Sequence, residues 1–190
     1  MHLKIVNKQQ WAAKPVTQIA VHGVKNIGEA MNQDEKETSI FFLKSWLEEV
    51  IYSGTEFLAK INRPFDIHDD WYQRRMFDEH YVLTATVMSI RFSKQVANYS
   101  QGSLKSSLEK FIETTRDAVD VRDMREHSDE YFLGKGKKKD QFLKGSTENI
   151  QCDMSSSIQN EHGYMLGNVI AMESIVGSCK ILLGDLKKNN

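Results

Sequence analysis

The sequence is poor in proline and cysteine and carries no surplus of either charge. Two prolines in 190 residues leave little scope for extended or low-complexity segments. Cys152 and Cys179 form no disulfide framework and belong to no His/Cys cluster, so both read as reduced packing residues. Lys and Arg number 25 against 26 Asp and Glu, a formal charge of −1, so binding to nucleic acid has to come from a local patch rather than the overall balance. No window approaches the roughly 18 uninterrupted apolar residues of a membrane span, and MHLKIVNKQQWAAK places no apolar run ahead of a small-residue cleavage site. These absences predict a cytoplasmic protein without a membrane partner. Nucleophile elbows and paired Cys/His motifs are missing too, and the glycines of GKGKKK lack the spacing and the Ser/Thr of a phosphate-binding loop.

What is present is helical periodicity. The length suits one domain over 1–190, and 40% apolar with 27% charged residues is the composition of a soluble globular protein. Val16, Ala20, Ile27 and Met31 suggest a short stripe, interrupted by Pro15, Gly23 and Gly28. From Asp34, Leu43, Leu47, Val50, Leu58 and Ile61 recur at three- and four-residue steps until Pro64. A second helix begins near the aspartates of 66–70 and carries Phe77, Tyr81, Thr84, Val87 and Met88. Ser103 caps a third, with the stripe Leu104, Leu108, Phe111, Thr115 and Val119, that runs on until GKGKKK. Ile150, Cys152 and Met154 then alternate with polar residues as in a strand, and Asn160 to Gly163 turns the chain into a partner at Tyr164 to Leu166. Val169, Met172, Val176, Cys179, Leu183 and Leu186 close the chain as a helix capped by Asn168. The expected fold is all-α: a four- to five-helix bundle with a small β-hairpin before the last helix.

One segment breaks the pattern. If the third helix is continuous and Leu104 marks zero, Phe111 falls at about −20°, Thr115 at about 20° and Arg122 back at about 0°, where a leucine belongs. An unpaired ion there would cost several kcal/mol. Glu126, four residues on, is the simplest partner. Asp123 and His127 are also four apart, so a carboxylate is in position to orient one imidazole nitrogen and leave the other for acid–base work. In a straight helix Arg122 and His127 lie about 140° and about 7.5 Å apart. They reach one small group only if the last turn unwinds or if each faces a copy across a two-fold axis.

Arg122-Asp-Met-Arg-Glu-His127 resembles the signature of the HEPN superfamily, in which arginine, often followed by Asn, Asp or His, precedes histidine by four to six residues near the end of a bundle helix. That resemblance implies a homodimer whose facing motifs form a metal-independent endoribonuclease site, with roles as toxins or in phage defence. RNA is then the substrate, and an antitoxin or nucleotidyltransferase the implied partner. Arg122 would hold the scissile phosphate, His127 exchange protons and Asp123 fix its tautomer; Arg125, Lys135, Lys137 and Lys138, with Lys139, would contact RNA phosphates. Members regulated by a nucleotidyltransferase have tyrosine two residues after the histidine; here Asp129 stands there and Tyr131 is nearest. No cofactor is called for.

Two rival readings concern metal and a binding role. DIHDDWYQRRMFDEH gathers His68, Asp69, Asp70, Asp78, Glu79 and His80, but Glu-x-x-His spacing is absent, so no metal is predicted and His80 reads as a hydrogen-bonded core residue. The alternative to an enzyme is a non-catalytic HEPN-like helical module that binds a nucleotide, an RNA or a protein, with Arg122 and Glu126 a structural pair.

Overall fold

The computed structural model describes residues 33–63, 70–148 and 151–188. Among them, six α-helices and a three-stranded sheet follow one another: α1 (Gln33–Ile61), α2 (Asp70–Ala97), α3 (Gly102–Thr115), α4 (Asp117–Glu126), α5 (Ser128–Phe132), β1 (Ser157–Asn160), β2 (Gly163–Leu166), β3 (Ile170–Ala171) and α6 (Met172–Lys188). The stripe proposed over 16–31, and with it a single domain from residue 1, concerns residues outside those described. Met31–Asn190 form one compact unit. No described helix is long and apolar enough to cross a membrane.

The two helices with the clearest periodicity, α1 and α6, pack against each other. α1 buries Leu43, Leu47, Val50, Gly54 and Phe57, and α6 buries Met172, Ile175, Val176, Cys179, Leu182, Leu183 and Leu186. α1 packs on α2 and α6, and α3 bridges α2 and α6. Gly54 is the point of closest approach, because a Cβ there would sit 2.5 Å from Val176 Cγ2. Val176 is β-branched on a helix and has little rotamer freedom with which to yield. Gly54→Ala is therefore expected to lower the thermal unfolding midpoint, although alanine is the better helix former by about 1 kcal/mol; a raised midpoint would refute this packing. Burial also pushes the Cys179 thiol from 9.0 up to about 12. The unfolded chain releases this proton first, so the thiol's contribution to stability is whole below pH 9 and is lost between pH 9 and about 12. In the folded protein at pH 8 iodoacetamide should leave Cys179 unmodified, while urea-unfolded chain reacts; fast alkylation without urea would contradict this.

α2 departs from the predicted stripe. Val87 is buried as expected, but Phe77 and Tyr81 are exposed, and Val82, Leu83, Ala85, Thr86, Ser89, Ile90, Ser93 and Val96 are buried as well. The helix lies between α1, α3 and α4, so it needs small residues on several sides rather than one greasy stripe. Thr86 and Ser89 fit there because their hydroxyls donate to the carbonyls of Val82 and Ala85 at 2.8 and 3.0 Å.

The third predicted helix is three helices. Thr114 and Thr115 donate to the carbonyls of Lys110 and Phe111 at 2.8 and 2.7 Å, a contact that competes with the amide ladder and bends helices. The ladder is interrupted at Arg116 and again at His127. α3 is preceded by Gln101, without a side-chain cap, in place of the expected Ser103.

The hairpin follows the predicted turn: Asn160 pairs with Gly163, and Asn160 Oδ1 accepts the His162 amide at 2.8 Å. Gly163 supplies a φ of 108° that other residues rarely adopt. The first strand, however, starts at Ser157 instead of spanning 150–154. Cys152 and Met154 are buried as their alternation suggests, but their amides are held by Ser146 Oγ at 3.0 Å and the Phe142 carbonyl at 2.8 Å, and no ladder forms. Asn168, the predicted cap, instead has a φ of 52° before β3, an unpredicted strand that pairs with β2.

Candidate functional site

A different arginine of the motif meets the core. On α4 the buried residues are Ala118, Val121 and Met124. Arg125, about 40° around the helix from Val121, projects inward with 8% of its side chain exposed, while Arg122 stands at the edge with 26%. The sequence anomaly is real, and it belongs to Arg125.

Several partners compensate that burial, and of these groups only the Arg125 Nε, like the Arg122 Nε, is buried without an acceptor. Glu79 of α2, itself 4% exposed in its side chain, accepts from Arg125 Nη1 at 2.7 Å and from the Ser157 hydroxyl at 2.6 Å. The Tyr164 hydroxyl donates to its other oxygen. Arg125 Nη2 donates to Ser157 Oγ at 2.5 Å and to the Ser156 carbonyl at 3.2 Å. One carboxylate thus joins α2, α4, β1 and β2, and each oxygen is satisfied. Burial, and then the negative charge of Glu79, push the Tyr164 phenol well above its ordinary range, so it keeps the proton that it donates to Glu79. Arg125, expected as an RNA contact, thus has its guanidinium engaged by Glu79, Ser156 and Ser157, and it also lines a cavity beside the motif.

Arg122 has the partner predicted as the simplest one. Its Nη2 lies 2.6 Å from Glu126 Oε1, and the same oxygen lies 3.6 Å from His80 Nε2. His80 is thus a half-buried member of a surface chain Arg122–Glu126–His80, and the expectation of a core histidine is corrected; the buried residue of that pair is its neighbour, Glu79. The Arg122 Nε is buried and has no hydrogen-bond acceptor. A single carboxylate oxygen does not exhaust a five-donor guanidinium.

His127 ends α4 with φ −115° and ψ 30°, so the last turn does unwind at the residue that needs freedom. Its ring is more than half exposed, and the nearest carboxylate is Glu130, 4.0 Å from Nδ1. The predicted Asp123 contact is absent among the described residues: the two are linked only by the His127 amide, which donates to the Asp123 carbonyl at 3.2 Å. Both side chains nevertheless line one cavity of about 210 Å³, together with Glu130, Tyr131 and Lys137. Lys135, Lys137 and Lys139 are exposed, whereas Lys138 is tied to Asp120, whose hydrogen bond raises its pKa. Lys138 therefore fastens the loop to α4, and Lys137 is the cation beside His127.

A larger cavity of about 560 Å³ opens on the other side of the motif, where Ser128, His80 and the Arg125 network meet Phe77 and Phe132. His68 and Asp69 of the predicted acidic cluster lie outside the described residues, and among those described no group of three His, Cys, Asp or Glu is placed to hold a metal ion. Within one chain, then, Arg122 and His127 line different surfaces. Sequence reading missed Glu79, Ser157 and Tyr164. The available signal was only a carboxylate on a helix with small residues around it. Comparisons with protein families, curated proteins and solved structures find no match for this chain.

Proposed function

We propose that this chain is a metal-independent endoribonuclease of the HEPN type, working as a homodimer in which Arg122 of one copy and His127 of the other act on one phosphodiester. The observation that carries the reading is the end of α4: Arg122 has an N–H without an acceptor, and His127, freed by the helix break, presents an imidazole to solvent beside Lys137. In the reaction the ribose 2′-oxygen attacks phosphorus as an imidazole takes its proton. Arg122 offsets the charge gathering on the phosphoryl oxygens. The P–O5′ bond breaks, an imidazolium returns a proton to the 5′-oxygen, and a 2′,3′-cyclic phosphate remains. A single His127 ring serves both ends of the step, as the base that takes the 2′-hydroxyl proton and then as the imidazolium that returns it. Asp123 lines the same cavity as His127.

The second reading, a binding module without chemistry, draws on the Arg122–Glu126 pair at 2.6 Å and on the missing Asp123–His127 contact. Incubation of the purified dimer with mixed RNA in excess chelator separates the two. Cleavage to cyclic-phosphate ends supports the nuclease; RNA bound and recovered whole supports the module.

A further inference from the structure

The larger cavity has a build that the cleavage site does not explain. Phe77 and Phe132 are 66% and 65% exposed, too open to be core, yet both line this one pocket. The lining is mostly apolar and carries hydroxyl groups as well. Ser155 and Ser156 spend their O–H groups on Asp153, through its carboxylate at 2.6 Å and its carbonyl at 2.7 Å. The Ser156 oxygen also meets the Cys152 thiol at 2.9 Å, and the Ser155 oxygen keeps lone pairs to accept with. Ser128, next to His127 in the chain, adds a hydroxyl. Behind these groups the Glu79–Arg125–Ser157–Tyr164 network holds α2 against β1 and β2, so the pocket is preformed. Arg75 gives its lining a cation, and His80 connects through Glu126 to Arg122.

We infer that this pocket receives a nucleobase of the RNA, the one adjoining the phosphate held at Arg122, and gives binding and cleavage a base preference. A base has two apolar faces and a hydrogen-bonding edge, and a pocket with aromatic walls and hydroxyl groups between them matches that division. A volume of about 560 Å³ accommodates a nucleotide. Arg75 and His80 stand where the attached phosphate leaves the pocket. The inference takes its substrate class from the nuclease reading, but its test does not require cleavage.

The four ribonucleoside 3′-monophosphates are titrated calorimetrically into the purified dimer with chelator present. One or two should bind more tightly than the rest. Phe77→Ala and Phe132→Ala should each weaken that binding by about tenfold, the effect of losing one base stack. Both side chains are exposed, so circular dichroism should match the parent. Arg75→Ala should weaken the monophosphate and leave the corresponding nucleoside unchanged. The inference is overturned if all four bind equally, if none binds at millimolar concentration, or if the phenylalanine variants bind like the parent. Selective binding by a protein that never cuts RNA would retain the pocket and remove the nuclease; cutting without base preference or mononucleotide binding would do the reverse.

Discussion

Arg125→Ala should destabilise the fold by about 3–5 kcal/mol, read as a large drop in the urea midpoint. Glu79 and Arg125 are almost wholly buried, and removal of the arginine leaves a carboxylate in the interior with only Ser157 and Tyr164 to satisfy it. Against a typical domain stability of about 5–15 kcal/mol this is a large share. The damage comes from the orphaned charge more than from the lost attraction. The double variant with leucine at 79 and methionine at 125 should therefore be more stable than Arg125→Ala alone, because it buries apolar groups in place of both ions. An Arg125→Ala midpoint close to the parent's would mean that the network is not formed as described.

The companion expectation runs the other way for the neighbouring arginine. Arg122→Ala and His127→Ala should each cut the RNA cleavage rate by about 10²–10⁴-fold, the range for loss of one transition-state donor or one general acid–base group. Neither change should move stability by more than about 1 kcal/mol, since a half-exposed pair with Glu126 contributes little. Three residues apart on α4, Arg122 and Arg125 are thus predicted to separate function from folding. Single-turnover cleavage and urea unfolding measured on both variants give the comparison. Full activity in purified Arg122→Ala and His127→Ala would leave only the binding-module reading.

How much of this could be read from the residues differs by element, for physical reasons. α1 and α6 pack one face on the core, so their three- and four-residue spacing carried over from Leu43 to Val50 and from Met172 to Leu186. Near the end of α1 Phe57 is buried, and the expected Leu58 and Ile61 are only partly so. α2 sits among three helices, and its buried Ala85, Thr86, Ser89 and Ser93 look like surface residues in a one-stripe reading. The expectation at Arg122 rested on extending the line of Leu104, Phe111 and Thr115; on α4 the buried line is Ala118, Val121 and Met124, which brings Arg125 inward and leaves Arg122 at the edge. The NEHG turn was legible because Gly and Asn have specific backbone roles there. Glu79 was not, since its partners lie 46, 78 and 85 residues away and only the folded chain brings them together.

The site composed from two copies is tested most directly by mixing inactive partners. Arg122→Ala and His127→Ala proteins are unfolded together, refolded and assayed on RNA in chelator. Half of the dimers are mixed, and each mixed dimer holds one intact Arg122–His127 pair contributed by different chains, so the rate should recover to about a quarter of the parent's. If mixed dimers form and the rate stays at the level of the separate variants, the two residues do not meet across the interface and the composite site is wrong.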